Sequence, residues 1–373
     1  MKSLVLADFH LGTDNIEDQG EIKDWVESTV AYIKPERVIF AGDTFELILP
    51  MEHSPEEDLR DKERVIGAIG NSWQGLFDYL RDSDVQKFVF VHGEHDFDIT
   101  KPNLEQRLQG LLNGKDVSTS NHFYDAESST LVIHGHELDY NRIFEIGGER
   151  ISCIGGLTRA LNDYLAQTPE VEKRVREATQ RQDFSYWYGF SGLPRYIEAV
   201  DMLFGADRRV YEREVAKVIQ SKDSDRWLAQ QRSPLVQLMG RGTKKVAQIP
   251  SMLLPLYGAF YFVLDKVVES RVKAIVAQKP YTDAPDYCFR NPVNNLVLGH
   301  FHRPEESHYS GGSMFNVSSP RIHVDGIERS DLVIHRDLTF AVINGARVEY
   351  SSRTNRRRIP LASMTSGNGK RIK

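Results

Sequence analysis

The stretch KFVFVHGEHDFDI, from Lys87 to Ile99, joins a run of apolar residues directly to a dense group of polar ones. Phe88 to Val91 has the composition of a buried strand. The polar residues that follow it are His92, Glu94, His95, Asp96 and Asp98. Charges this close together cost free energy when buried unless something pairs them. A metal ion would do so, and the stretch therefore predicts a metal site at the end of a strand.

Four other apolar runs also end in side chains that can bind a metal. These side chains are Asp8 and His10; Asp43; His134 and His136; and His300 and His302. In open α/β sheets, ligands bind at the carboxyl ends of the strands. Imidazoles combined with carboxylates favour manganese, iron, zinc or nickel over calcium. Glycines before Asp43, Glu94 and His300 are expected to let the backbone turn tightly and approach an ion.

The order of apolar runs and helical patterns predicts an α/β fold with a mainly helical insertion. Strands and helices alternate over residues 1–139, helical patterns dominate residues 140–290, and strand patterns resume over residues 291–350. We interpret the first and last ranges as one core and the middle range as an insertion or lid. Residues 352–373 contain seven Lys or Arg and no acid, which predicts a disordered tail. Attraction of this tail to an anionic partner is the alternative.

Composition describes an ordinary soluble protein. A net charge of −6 argues against a strongly basic nucleic-acid binder. Cys153 and Cys288 are the two cysteines and suit a reducing compartment. A strand pattern starts at once at the N-terminus, with no signal peptide before it. We therefore expect a cytoplasmic protein.

The segment from Val246 to Leu264 carries no formal charge and is long enough to be considered as a membrane span. Pro250, Pro255 and Gly258 interrupt it, which favours an amphipathic or buried helix. Residues 249–278 would then pack in a core or face lipid. The second alternative implies peripheral contact with the inner membrane.

The ordered motifs ADFHLG, AGDTFE, HGEHD, IHGHELD and GHFH resemble those of the calcineurin-like metallophosphoesterases. The resemblance covers residues 1–140 and 290–345. It implies a four-layer αββα sandwich with a dinuclear metal centre, for which manganese is our first expectation and iron, zinc or nickel are alternatives. By this resemblance Asp8, His10 and His302 would hold one metal. His134, His300 and Glu94 would hold the other, and Asp43 would bridge both.

The resemblance also implies hydrolysis of a phosphoric ester or diphosphate bond. Two divalent cations would clamp the phosphate and acidify a shared water, which attacks phosphorus in line. His95, oriented by Asp96, would protonate the departing oxygen. His136 either supports the ligands or is locally structural, and His92 is expected to be structural. Arg303 either contacts substrate phosphate or lies solvated in its loop.

Glu94 departs from the family, which has asparagine at this position. An ionised carboxylate only accepts hydrogen bonds and adds a negative charge, so it weakens the attraction of the site for an anionic phosphate. Three hypotheses follow. Glu94 is a ligand that retunes the site, it swings out and leaves a weaker second site, or it marks a damped enzyme.

Within the family, the motifs look most like those of UDP-2,3-diacylglucosamine diphosphatases. That likeness implies a nucleotide-linked or lipid-linked pyrophosphate as substrate, with the insertion as a lid over acyl chains. The sequence FNVSSPR around Asn316 departs from that branch. One alternative is a manganese-dependent nuclease. Another is a scaffold that keeps the fold to bind a protein partner. The oligomeric state stays open.

Overall fold

The structure is a computed structural model that describes most of the chain outside the predicted insertion. The described residues are 1–12, 19–47, 55–138, 144–146, 149–151, 219–230, 266–281, 284–302, 304–318, 320, 322–328 and 331–360, with scattered positions between 209 and 245. They fall into two compact units. One comprises Met1–Arg142, Val267–Arg321 and Asp337–Arg353, and the other comprises Ile143–Lys266, Ile322–Arg336 and Thr354–Lys373.

Strands and helices alternate in the first unit, as the sequence predicts. Among the described residues, the strands are β1 (Ser3–Leu6), β2 (Arg37–Ala41), β3 (Lys87–Val91), β4 (Asp116–Ser120), β5 (Phe123–Asp125), β6 (Thr130–Val132), β7 (Phe144–Ile146), β8 (Glu149–Ile151), β9 (Asn295–Leu298), β10 (Glu305–Tyr309), β11 (Gly312–Asn316), β12 (Ile322–Glu328), β13 (Asp331–Asn344) and β14 (Arg347–Pro360). The helices are α1 (Gln19–Ile33), α2 (Pro55–Ser72), α3 (Gln74–Asp82), α4 (Pro102–Leu111) and α5 (Lys222–Gln230), with a further helical stretch over 266–276. Short 3-10 turns cover Phe97–Thr100, His136–Leu138 and Asp286–Phe289.

Two sheets carry the candidate site. The first has seven strands in the order β12-β13-β1-β2-β3-β4, with β14 paired to β13. In it β1 to β4 are parallel and β13 is antiparallel to β1. The second runs in the order β10-β11-β9-β6-β5, with β11, β9 and β6 parallel. Because parallel strands end at the same edge, their following loops are brought together.

Side chains alternate between the two faces of each strand, so each face of a sheet packs against a different layer. Leu4 and Leu6 of β1 face α1 to α4 in one apolar cluster, whereas Val5 joins Val132 and Val297 between the two sheets. The outer face of the second sheet is covered by helix 266–276, whose buried residues are Val272, Ile275 and Val276. The mixed α/β fold with two sheets is the fold class that the sequence predicts.

The insertion ends earlier than the sequence analysis placed it. Residues from Val267 onward belong to the first unit, where Arg271 donates a hydrogen bond to the Leu138 carbonyl at 2.7 Å. Within the predicted 249–278 segment, the part from residue 267 is therefore a core helix and not a lipid-facing one. No helix among the described residues is both long and apolar enough to cross a bilayer, and Val246–Leu264 lies outside those residues.

The prediction of a disordered tail from residue 352 is wrong for its first part. Residues 352–360 continue strand β14, which pairs with β13. The segment is basic, yet arginine stems and threonine fit a strand whose backbone is paired. Residues 361–373 lie outside the described part of the chain.

Candidate metal centre

Five loops meet at the carboxyl ends of the parallel strands, and each carries residues that the sequence predicted. Asp8 and His10 follow β1, and Asp43 follows β2. The loop after β3 carries Glu94 and His95, that after β6 carries His134, and that after β9 carries His300 and His302. The His10 amide donates to the Asp43 carbonyl at 2.8 Å, and the His300 amide donates to the Asp8 carboxylate at 2.9 Å. Backbone hydrogen bonds thus tie the loops to one another.

The candidate ligands have an unusual backbone conformation. Of the residues that the structure describes, eight non-glycine residues have positive φ, and five of these are predicted metal ligands. They are Asp8, His10, Asp43, His300 and His302, with φ between 44° and 67°. The left-handed region costs a side-chain-bearing residue about 1–2 kcal/mol. Such strain persists where the surrounding structure imposes it, which is common at functional sites.

The first metal group consists of Asp8, His10 and His302. Their donor atoms lie within 4.8 Å of one another. His302 Nε2 lies 3.4 Å from both Asp8 Oδ1 and His10 Nε2. His10 Nε2 is also 3.8 Å from Asp43 Oδ2. The three residues expected to hold one cation are therefore adjacent, with the expected bridging residue beside them.

The residues expected at the second cation, here called the second metal group, are Asp43, Glu94, His134 and His300. By distance alone, the donor atoms of Glu94 and His134 also group with His136, within 4.8 Å of one another. His134 Nε2 lies 3.1 Å from Asp43 Oδ2 and 2.9 Å from Glu94 Oε2. His300 Nδ1 lies 2.8 Å from the other Glu94 oxygen. Glu94 is 6% exposed, so its carboxylate is turned into the group and not outward. Asp43 takes part in both groups.

The donor atoms of these groups fit divalent cations. Among the described residues, Asp43 Oδ2, Glu94 Oε2 and His134 Nε2 are buried and make no hydrogen bond. Buried polar atoms normally have partners, so three converging exceptions indicate a missing ligand. Burial opposes the ionisation of Glu94, but His300 and His134 hold its pKa well below the usual range. Carboxylates with imidazoles suit first-row transition metals.

The supports of His134 fix its orientation. Its Nδ1 lies 2.9 Å from the Ala41 carbonyl, to which it donates, so Nε2 keeps a lone pair directed at the group. Gly42 has φ 89°, and a Cβ there would collide with the His134 ring. At Gly93 a Cβ would collide with the Asp43 carboxylate. These glycines admit neighbouring ligand side chains, and only Gly42 of the two needs positive φ.

Glu46 orients His95, whereas the sequence analysis predicts Asp96 in this role. His95 Nδ1 lies 2.9 Å from both oxygens of Glu46, and His10 Nδ1 lies 3.3 Å from one of them. Burial disfavours the charged imidazole, but Glu46 and Asp43 raise the pKa of His95 to about 10. Glu46 closes the AGDTFE motif, and its position three residues after Asp43 was the signal that could have revealed this role.

The Asp96 carboxylate braces the loops instead of orienting His95. It accepts hydrogen bonds from the amides of Thr44 at 2.7 Å, Phe45 at 3.2 Å and Gly93 at 2.6 Å. Burial and the nearby Asp43 carboxylate raise the pKa of Asp96 to about 7. The prediction is wrong because these three amides occupy both carboxylate oxygens of Asp96. Asp96 therefore joins the loop of Asp43 to the loop of Glu94.

The remaining predicted residues lie around the two groups. His136 Nδ1 is 3.8 Å from Glu94 Oε2, so this side chain borders the second group. The ring of His92 meets Phe97 edge-on at 4.7 Å, and burial together with His136 lowers the pKa of His92 to about 4. Asp98 pairs with Lys62 at 2.8 Å. Arg303 lies outside the described residues.

A family model of calcineurin-like phosphoesterases matches residues 1–304. The chain belongs to this family. It is accordingly a metal-dependent phosphoesterase, of a family that uses two metals and acts on phosphorylated substrates. A search of curated proteins finds no match to this phosphoesterase. Among solved structures it is similar to a dimetal phosphatase from Danio rerio, over 94% of this chain and 98% of that chain, with 11% identity and a TM-score of 0.30.

Proposed function

We propose that the two groups hold one divalent cation each and that the pair hydrolyses a phosphodiester or pyrophosphate bond. The proposed ligands are Asp8, His10 and His302 for one cation, Glu94, His134 and His300 for the other, and Asp43 for both. The observation that carries this proposal is the convergence of buried, unpaired donor atoms on Asp43, Glu94 and His134. Manganese is the first metal to test.

Bound in these groups, two cations would polarise a phosphoryl group and acidify a water between them. The side chains prepare the site for this chemistry. Glu46 holds the His10 ring from behind and the Ala41 carbonyl holds the His134 ring, so each presents Nε2 to its group. Ligands held in place before binding lose little freedom when a cation arrives.

His95 is placed to transfer a proton. Glu46 occupies its Nδ1, and its Nε2 lies 4.0 Å from Asp43 Oδ2, on the side of the metal groups. A proton on Nε2 can therefore reach an oxygen that leaves a phosphate held there. His95 is the proposed acid, and Glu46 is its positioning residue.

For the substrate we propose a nucleotide-linked acyl-sugar pyrophosphate. The support is the likeness of the ADFHLG, GEHDF and HGHELD motifs to the UDP-2,3-diacylglucosamine diphosphatases. The Asn316 region departs from that branch. Metal-loaded protein should release UMP from UDP-2,3-diacylglucosamine, and full recovery of the intact substrate after prolonged incubation would rule this substrate out.

A separate experiment tests whether the protein is a metal-dependent phosphodiesterase. Metal-free protein is titrated with manganese, and hydrolysis of bis(p-nitrophenyl) phosphate is followed at each addition. Activity should rise until two equivalents are bound, and single-stranded DNA in a parallel reaction should stay intact. Degradation of the DNA would favour the nuclease alternative. A protein that binds two manganese ions and hydrolyses nothing would contradict the proposal.

A further inference from the structure

Beside the second metal group, a row of three side chains leads from the 3-10 turn Asp286–Phe289 to Glu94. Tyr287 Oη donates a hydrogen bond to Glu137 Oε1 at 2.8 Å. The other oxygen of Glu137 accepts the Gly135 amide at 3.2 Å and lies 3.5 Å from His136 Nδ1. His136 Nδ1 in turn lies 3.8 Å from Glu94 Oε2. These contacts therefore connect Tyr287, through Glu137 and His136, to Glu94, which is a proposed metal ligand.

The surroundings of His136 Nδ1 determine what this atom can do. Its neighbours are carboxylate oxygens of Glu137 and Glu94, which only accept hydrogen bonds. A lone pair on Nδ1 would face two anions, whereas an N–H would be attracted to both. With the proton on Nδ1, His136 is a hydrogen-bond donor to Glu94, although the donor atoms of Glu94, His134 and His136 lie within 4.8 Å of one another and could instead share a cation.

This donor is buried and lacks a hydrogen bond. His136 is 1% exposed, and its Nδ1 makes no hydrogen bond among the described residues. Glu94 Oε2, the nearest atom of the metal group, is also buried and makes none. A buried donor without a partner costs about 1–3 kcal/mol. A small rotation of either side chain would let the two atoms satisfy each other.

We propose that His136 positions the Glu94 carboxylate for the second cation and that Glu137 and Tyr287 hold His136 in place. The inference rests on the proposed function, since it requires Glu94 to be a ligand. Its physical basis is the length of Glu94. A glutamate has one more rotatable bond than the asparagine of the family motif, so more conformational freedom must be removed to hold its oxygens. The N–H of His136 supplies that restraint.

The test measures manganese binding to the full-length, metal-free protein by calorimetry, independently of activity. Wild type should bind two equivalents. His136→Leu should weaken one of them about tenfold or more and leave the other unchanged, the size expected for loss of an outer hydrogen bond to a ligand. His136→Asn keeps an N–H close to the place of Nδ1 and should restore most of the affinity. Equal weakening by both substitutions would mean that the ring only fills space.

A double-mutant cycle shows whether the effect passes through Glu94. The side chain in Glu94→Asn is one methylene shorter and no longer extends to the imidazole. In that background, His136→Leu should change manganese affinity no further. An unchanged tenfold effect there would overturn the inference, because His136 would then act on another group.

Tyr287→Phe tests the far end of the row. It should weaken the same equivalent by a smaller factor, since Glu137 loses one donor and keeps the Gly135 amide. Tyr124→Phe is the matched control, because Tyr124 Oη donates at the same length, 2.8 Å, to the Pro292 carbonyl away from the metal groups. Thermal unfolding of each metal-free variant checks its folding. Wild type binding fewer than two ions would overturn the proposed function too, whereas two ions with normal affinity in His136→Leu would overturn this inference alone.

Discussion

The two metal groups have matching donors and different supports. Each group has two imidazoles, one carboxylate of its own and the shared carboxylate of Asp43. The group's own carboxylate is Asp8 in the first group and Glu94 in the second. The first group is held from behind by Glu46, a carboxylate that also holds His95. The second is held by the Ala41 carbonyl and bordered by His136. The difference teaches that Glu94 gives each group one carboxylate of its own, whereas the support by Glu46 joins the first group to His95.

Replacing the shared residue should break both groups at once. Asp43→Asn removes one negative charge from between two cations, so we expect both manganese ions to be lost and kcat/KM to fall by about 10²–10³, comparable with loss of a preorganised electrostatic contact. Metal analysis and hydrolysis of bis(p-nitrophenyl) phosphate measure the two effects. Asp116→Asn, which changes an exposed carboxylate on β4, is the control. Retention of one tightly bound ion would mean that Asp43 serves a single group.

Replacing His95 should separate catalysis from metal binding. His95→Ala removes the proposed acid and should lower kcat by about 10²–10⁴ while both ions stay bound. Glu46→Gln should lower kcat less than His95→Ala, and because Glu46 also holds His10, the manganese affinity of this variant is measured alongside its kcat. The loss should be smaller for an ester with a more acidic leaving group. Equal losses for poor and good leaving groups would argue against proton transfer by His95.

The sequence predicted the residues at the strand ends better than their contacts. Asp8, Asp43 and His300 follow apolar runs, and such runs in an α/β fold end at a common edge. The support of His95 was assigned to its neighbour Asp96, whereas the side chain that reaches it is Glu46 on another loop. Adjacency in sequence does not tell which way two carboxylates point after a sharp turn. That direction depends on backbone amides which become available only when the loops meet.

The boundaries of the core were also only partly predictable. Helix 266–276 and residues 352–360 were assigned to the insertion and the tail because of an apolar run and a basic run respectively. Composition describes each segment alone. The helix is buried by contact with the second sheet, and strand β14 is stabilised by pairing with β13. The second sheet includes β6, which lies far earlier in the chain than the helix, whereas β13 directly precedes β14 and the strand pattern of β14 could have been followed further.

Restoring the asparagine of the family motif should make the two groups unequal in charge. Glu94→Asn removes a negative charge, so the site should attract an anionic phosphate more strongly and hold its second cation less firmly. We expect manganese affinity of one equivalent to fall about tenfold or more, with faster turnover at saturating manganese. Calorimetry and bis(p-nitrophenyl) phosphate kinetics measure both. Unchanged affinity with no gain in rate would contradict the charge argument.

The smallest expected effect concerns the loop that carries His10. Trp73, 1% exposed between α2 and α3, donates its indole N–H to the Gly12 carbonyl at 3.0 Å and so ties that loop to the helices. Trp73→Phe should lower the free energy of unfolding by about 1 kcal/mol for the lost hydrogen bond, measured by urea denaturation. Trp25→Phe is the matched control, since Trp25 stacks on Phe9 at 6.0 Å without an indole hydrogen bond among the described residues. Because the loop belongs to the first group, Trp73→Phe should weaken only the equivalent of manganese that His136→Leu leaves unchanged. Weakening of the other equivalent would mean that the two groups do not have separate supports.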